Sequence, residues 1–188
     1  MEYIIERYAS DDFRTSEKIG NRYIIRTKIE DLPESESVRC VESIIDHSPA
    51  QADYDAQVAS YIGDVQQEKL SCIRRYDVSD NVNIFYIDEH ATWLDKDTRV
   101  GLDNLIKKQK EAGATETTLW LAGVSFVIEI DHAIDLLRQL EIYAGQCYNK
   151  TEEHKAAVLA TTTIAGVENY DYTTGYPEPL HFTISNNE

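Results

Sequence analysis

Residues 22–45, RYIIRTKIEDLPESESVRCVESII, decide how the chain begins to fold. Two runs rich in β-branched and aromatic residues, Arg22–Ile29 and Val38–Ile45, flank an acidic turn that contains Pro33. That pattern reads as two antiparallel strands closed by a loop. Tyr3–Tyr8 has the same character and reads as a third strand, whereas the polar stretch Asp11–Asn21 reads as a loop. Downstream, Ser48-Pro49 opens a new element, with Ser48 placed as a cap and Pro49 suited to a first helical turn. From Ala50 to Tyr76 the residues Tyr54, Val58, Tyr61, Ile62, Val65, Leu70 and Ile73 recur mostly at three- and four-residue spacings. This is the period of one long amphipathic helix. Gly63 in its middle costs about 1 kcal/mol relative to Ala, which predicts a bend or a close backbone contact there.

The second half repeats the alternation of ribbon and helix. Val82–Ile87 reads as a strand, Asp88-Glu89-His90 as a turn and Ala91–Leu94 as the returning strand. Asp95 or Asp97 caps a helix running to Ala112, with Val100, Leu102, Leu105 and Ile106 on its buried side and Gly113 just past its end. Thr117–Leu121 and Ser125–Ile130 flank Ala122-Gly123-Val124 as a tight hairpin. Asp131 caps a helix to Asn149, with Ile134, Leu137, Leu140, Ile142, Tyr143 and Cys147 mainly inward. Thr151-Glu152-Glu153-His154 approaches a capping box, with His where the reciprocal Glu would stand. It reads as the start of a further helix through Ala156, Val158 and Leu159. A last turn or helix, Ile164–Tyr170, precedes an aromatic strap, Tyr172-Thr173-Thr174-Gly175-Tyr176-Pro177. The expected fold class is α+β: short antiparallel ribbons and hairpins packed with a long helix in the N-terminal half and a C-terminal cluster of helices. Two domains are expected, 1–76 and 77–188, with the seam near residues 76–80.

Charge excludes several functions. The 188 residues carry 34 acidic against 18 basic side chains, a net charge of −16. A nucleic-acid binder needs a basic face to displace counterions, and the one local basic cluster is Lys107, Lys108 and Lys110 near a helix C-terminus. Neither nucleic acid nor an anionic membrane surface is therefore an expected partner. The acids are scattered rather than stacked at a phosphate-like repeat, which argues against mimicry of DNA. No apolar run approaches the roughly 20 residues of a membrane span, and the Met1–Glu6 opening has no secretory pattern. Cys40, Cys72 and Cys147 lie far apart without a CxxC pair, as expected of small buried hydrophobes in a reducing compartment.

No motif carries chemistry. Five histidines form neither HxH nor HExxH. Asp131, His132 and Asp135 share a helical neighbourhood and could face a divalent ion, but they read more simply as a cap and a solvated face; His90 reads as a turn residue. Ser125 sits in a hairpin pattern rather than a nucleophile elbow, and no phosphate-binding glycine loop is present. No catalytic residue, cofactor or metal is expected. What stands out is tyrosine, twelve in all. Tyr143, Tyr148, Tyr170, Tyr172 and Tyr176, with Pro177, form the candidate interface, because Tyr offers rigid contact area with a polar tip. The alternative for the same residues is that they tie the strap to its own helices.

Residues 69–182 also resemble a domain of unknown function found in phage and prophage proteins, often within or beside tail-fibre and tail-tip genes. The resembling pieces are Ile73-Arg74-Arg75-Tyr76-Asp77 with Ser79, Val82-Asn83-Ile84-Phe85, Trp93-Leu94 with Arg99 and Leu102, and Leu119-Trp120 with Gly123. They continue through Leu140-Glu141-Ile142-Tyr143-Ala144, Cys147-Tyr148, Thr151 and His154, and end with Tyr170-Asp171-Tyr172 and Gly175-Tyr176-Pro177. Residues 1–68 carry no such resemblance. The resemblance implies a setting, the virion near the tail, and no reaction. The expected role is a structural tail or baseplate adaptor, or a fibre-attachment subunit, made in the bacterial host cytoplasm. Its expected partners are other tail proteins and further copies of itself. A fibre-assembly chaperone absent from the mature particle and, less favoured, a glycan hydrolase are the alternatives.

Overall fold

A computed structural model describes residues 3–121 and 123–184. The element order is β1 (Tyr3–Ala9), β2 (Ser16–Ile19), β3 (Arg22–Leu32), β4 (Ser37–Ile45), α1 (Gln51–Asp77), β5 (Phe85–Ile87), β6 (His90–Thr92), α2 (Lys96–Glu111), β7 (Glu116–Leu121), β8 (Val124–Glu129), α3 (Ile130–Ala160), α4 (Ile164–Glu168) and β9 (Leu180–Phe182). The fold class is α+β, as the sequence indicates. Two compact units are present: Met1–Ser71 with Ala157–Tyr170, and Cys72–Ala156 with Asp171–Glu188. Their boundaries fall inside α1 and inside α3.

In the first unit, β1 to β4 form one antiparallel sheet of order β1-β4-β3-β2. The pair read from residues 22–45 is its centre, with a bulge between Lys28 and Glu30. β2 was not expected: Ser16–Ile19 is exposed throughout and extends only because β3 offers its edge. Central strand β4 buries Val38, Cys40, Val41, Glu42, Ser43 and Ile45. One sheet face meets α1 through Gln57, which is fully buried. Its amide donates to Ile25 O and Ser43 Oγ, and its Oε1 accepts from Thr27. A Cβ added at Gly63 would meet open space, so of the bend or close backbone contact expected there the contact is absent. Gln66 donates to Val158 O, Leu159 O and Thr161 O, at and just past the end of α3.

The second unit encloses a core of Val82, Phe85, Ile87, Leu94 and Ile106 with Leu119, Leu121, Phe126 and Ile128 from the hairpin and Leu136, Leu140, Tyr143 and Cys147 from α3. Asp95 is the N-cap of α2, accepting from Thr98 N. Val100 and Leu105 face solvent, contrary to expectation, and Arg99 takes the buried place beside Ile106. The guanidinium is satisfied by Leu94 O and Glu141 and lies 5.4 Å over the Trp93 ring. β7 and β8 pair as a two-stranded ribbon. Ala122 of the expected turn lies outside the described residues; Gly123 has φ +79°, which glycine accepts without strain. β9 adds a parallel pairing to β5, where only antiparallel ribbons were expected. The β5–β6 turn holds Asp88 and Glu89 at positive φ, and Asp88 is tied to this same strand, donating to Phe182 O and accepting from Ile184 N.

Helix α3 is the largest correction. A single helix of 31 residues replaces the two expected, and Thr151 lies within it rather than capping a new one. The reason is a continuous inward stripe at three- and four-residue spacing: Leu136, Leu140, Tyr143, Cys147, Thr151, His154 and Val158, all buried. Ile142, expected inward, falls off that stripe and is exposed.

Candidate functional site

Besides the Gln57 and Arg99 bonds described above, each unit holds a further buried polar constellation. In the first, every strand of the four-stranded sheet contributes one side chain on the face opposite α1. Arg26 of β3 donates through Nε to Glu42 of β4 at 2.7 Å and through Nη2 to Glu17 of β2 at 3.1 Å. Tyr8 of β1 donates its hydroxyl to the same Glu42 oxygen, and the guanidinium carbon lies 4.6 Å over the Tyr8 ring. A further Arg26 nitrogen reaches Arg14 O. Because strand side chains alternate faces, a slip of one residue in any strand would break this clasp. Burial is the main reason the Tyr8 phenol titrates above its ordinary value, with Glu42 reinforcing it.

The second constellation seats the strap. Thr151 of α3, fully buried, donates to Asp77 Oδ1 at 2.7 Å and meets Tyr176 Oη at 3.0 Å. His154 Nε2–H donates to Thr174 O at 2.9 Å, which places a proton on that nitrogen. The Tyr76 ring packs edge-on against Tyr172 and tilted against Tyr176, with centroids 5.7 and 5.6 Å away. Gly175 turns the strap at φ +77° against the stem of Lys150, and Asp171 accepts from both Thr173 N and its hydroxyl.

The six candidate interface residues therefore have different surroundings. Tyr143 is buried and donates to Val82 O at 3.0 Å; burial pushes its phenol well above the ordinary range, and burial likewise raises the neighbouring Cys147 thiol. Tyr172 and Tyr176 are half-buried and brought together by Tyr76, and Pro177 is half-buried beside them in sequence. Tyr170 is half-buried in the first unit, where its carbonyl accepts from Lys69. Tyr148 stands outward, 61% exposed. Asp77, Thr151 and His154 make the junction that seats the strap, although the sequence reading placed Thr151 and His154 at the start of a further helix. The signal for Thr151 and His154 was the spacing continuing from Leu136.

The Asp131, His132 and Asp135 neighbourhood disperses into local pairs: Asp131 with Lys110, and Asp135 with Arg138 and Gln139. The Arg138 and Gln139 bonds hold the Asp135 carboxyl below its usual range. Among the described residues no group of three His, Cys, Asp or Glu side chains could hold a metal ion, and no buried side-chain nitrogen or oxygen lacks a hydrogen-bond partner. None of the helices described is long and apolar enough to cross a membrane. No family model matches the chain, and no curated protein or solved structure matches it.

Proposed function

We propose that this protein is a structural component of a phage virion, a tail or baseplate adaptor or fibre-attachment subunit that works by binding other proteins. The setting rests on the resemblance of residues 69–182. The mode of action rests on one structural observation: the buried polar side chains are engaged in joining elements of the chain to one another. Arg26, Glu42, Gln57, Arg99, Thr151 and His154 each bridge segments distant in sequence. Meanwhile Trp120, Val127, Ile142, Tyr148 and Leu159 are left outward. Side chains spent on rigidity, with large apolar groups displayed, suit a subunit that presents a fixed surface. Further copies of the chain and other tail proteins are the proposed partners.

Purified particles analysed by mass spectrometry test this reading. The chain is expected in intact virions at a fixed ratio to the other tail proteins. Abundance in infected cells together with absence from particles would favour the assembly chaperone and reject the structural role.

A further inference from the structure

We propose that the β7–β8 ribbon takes an extended, basic segment of a partner protein, laid beside β7 as a third strand. This rests on the reading of the chain as a binding subunit and names the chemistry of what it binds. The inner face of the ribbon, Leu119, Leu121, Phe126 and Ile128, is buried in the core. The outer face of a sheet packed on one side is ordinarily polar. Here it carries Trp120, 72% exposed, and Val127, 56% exposed. The register sets Trp120 opposite Ser125 and Thr118 opposite Val127, so the two apolar side chains are diagonal neighbours and form one patch. Among the described residues no third strand joins the ribbon, and a strand edge without a partner presents N–H and C=O groups that can template another chain.

Charge identifies the occupant. At the open end of the ribbon Glu116 lies directly opposite Glu129, and both are exposed. Like charges in that register repel, and a cation on the added strand beside Glu116 offsets the repulsion. Along β7, Trp120 and Glu116 are four residues apart on one face, about 13 Å at the usual strand rise. An added antiparallel strand would therefore read apolar, any, apolar, any, basic, with its first apolar residue against Trp120 and its Lys or Arg at the carboxylate pair. A second copy of this chain is the poorer occupant, because it brings another net charge of −16.

The test uses the full-length protein and labelled synthetic peptides, read by fluorescence anisotropy. The probe is Val-Thr-Val-Thr-Lys-Thr-Lys; its comparators replace both Val by Ser at equal charge, or both Lys by Glu. The Val/Lys peptide is expected to bind tightest and to shift Trp emission to the blue, and the Glu peptide not to bind. Trp120→Ala should weaken binding about tenfold, the loss of an aromatic anchor. The double change Glu116→Gln with Glu129→Gln should weaken it about threefold or more and flatten its salt dependence. Asp11→Asn with Asp12→Asn removes the same charge from an exposed site elsewhere and should leave binding unchanged. All these positions are exposed, and far-ultraviolet circular dichroism checks that each variant folds. Equal binding by all variants, or by the Ser and Val peptides, overturns the proposal. So does a dimer in sedimentation velocity that Trp120→Ala abolishes, since a second copy would then occupy the face. Failure of the peptide while the protein stays in purified particles rejects the ribbon alone; peptide binding with absence from particles rejects the virion setting alone.

Discussion

Replacing Glu42 by Gln tests whether the first unit is locked by its buried clasp. Arg26 and Glu42 are 5% and 8% exposed, so the pair is desolvated. Removing one partner of a buried ion pair costs about 3–5 kcal/mol, because the remaining charge is left uncompensated. Glu17 returns part of this: it sits 3.1 Å from Arg26, but its side chain is 53% exposed, and an exposed partner contributes about 0–1 kcal/mol. Glu42→Gln should therefore cost about 2–4 kcal/mol, a midpoint lower by about 1–2 M urea at an m-value near 2 kcal/mol/M. Both tryptophans, Trp93 and Trp120, belong to the second unit, so their emission would miss the event. Hydrogen exchange against urea, followed on peptides from β4 and from β9, separates the units; β4 should lose protection first. The companion variant changes Tyr8→Phe, Arg26→Met and Glu42→Leu together. Replacing a whole buried polar cluster with apolar groups of similar volume is often neutral, so this triple change should stay within about 1 kcal/mol of the wild type. A single-variant cost below about 1 kcal/mol, or a triple variant as unstable as the single, would refute the clasp as a desolvated unit.

Two further predictions concern the strap junction and pH. Thr151→Val keeps the shape and the β-branch but removes the hydroxyl that donates to Asp77 and meets Tyr176; a lost bond to a charged group costs about 1.5–3 kcal/mol. Tyr176→Phe should cost less, and the double variant less than the sum, because the two hydroxyls share one contact; a thermal-melt double-mutant cycle reads the coupling, and strict additivity would deny it. At the start of α1, His47 lies 3.1 Å from Asp46 and 3.0 Å from Asp53. Bonds to Asp46 first and then Asp53 raise its pKa, while the Ala50 amide first and then His47 lower that of Asp53. The raised histidine stabilises the fold fully below its unfolded pKa, about 6.5, and that contribution is lost as pH rises through the folded value. The lowered Asp53 contributes above about pH 4 and loses it on acidification. The advantage of wild type over His47→Gln should thus be greatest between about pH 4 and 6.5 and vanish at alkaline pH; an NMR titration placing the His47 pKa at or below its value in the unfolded chain would contradict this.

The parts of the fold that were legible in the sequence are those whose signal is local. Residues 22–45 alternate, Asp95 stands one turn before an apolar run, and α1 keeps its period from Tyr54 to Ile73, so strands, cap and helix all follow. Three features were hidden because their cause is tertiary. β2 has no buried side chain to betray it and exists through pairing with β3. β9 is three residues long, and its partner β5 lies far back in the chain. The helix at Thr151 looked broken because Thr so often caps; here its hydroxyl reaches Asp77 instead, and the same residue type serves a different bond. Counting only apolar residues also misplaced faces. On α2 the buried side includes Arg99 and excludes Val100 and Leu105, since Leu94 O and Glu141 satisfy the guanidinium there and the Trp93 ring lies beneath it. Of the candidate interface, burial could be read for Tyr143 from its place in the stripe, but not the exposure of Tyr148 one residue after Cys147.

The two buried polar constellations do the same physical work in different places. Hydrophobic burial is non-directional and tolerates slippage, whereas the clasp requires Tyr8, Glu17, Arg26 and Glu42 in one register, and the junction requires Asp77, Thr151 and Tyr176 at one depth. Each ties segments far apart in sequence. Such groups can lower stability relative to an apolar isostere while making one arrangement unique. An enzyme gains from polar groups held in reserve near a cleft; a subunit whose task is to present a surface gains from polar groups committed to holding that surface still. Under the reading proposed above, the polar side chains committed inside and Trp120 and Tyr148 displayed outside suit the second task. Substitutions at Trp120 should then alter binding while leaving the melting of both units unchanged, whereas substitutions at Thr151 or Glu42 should do the reverse.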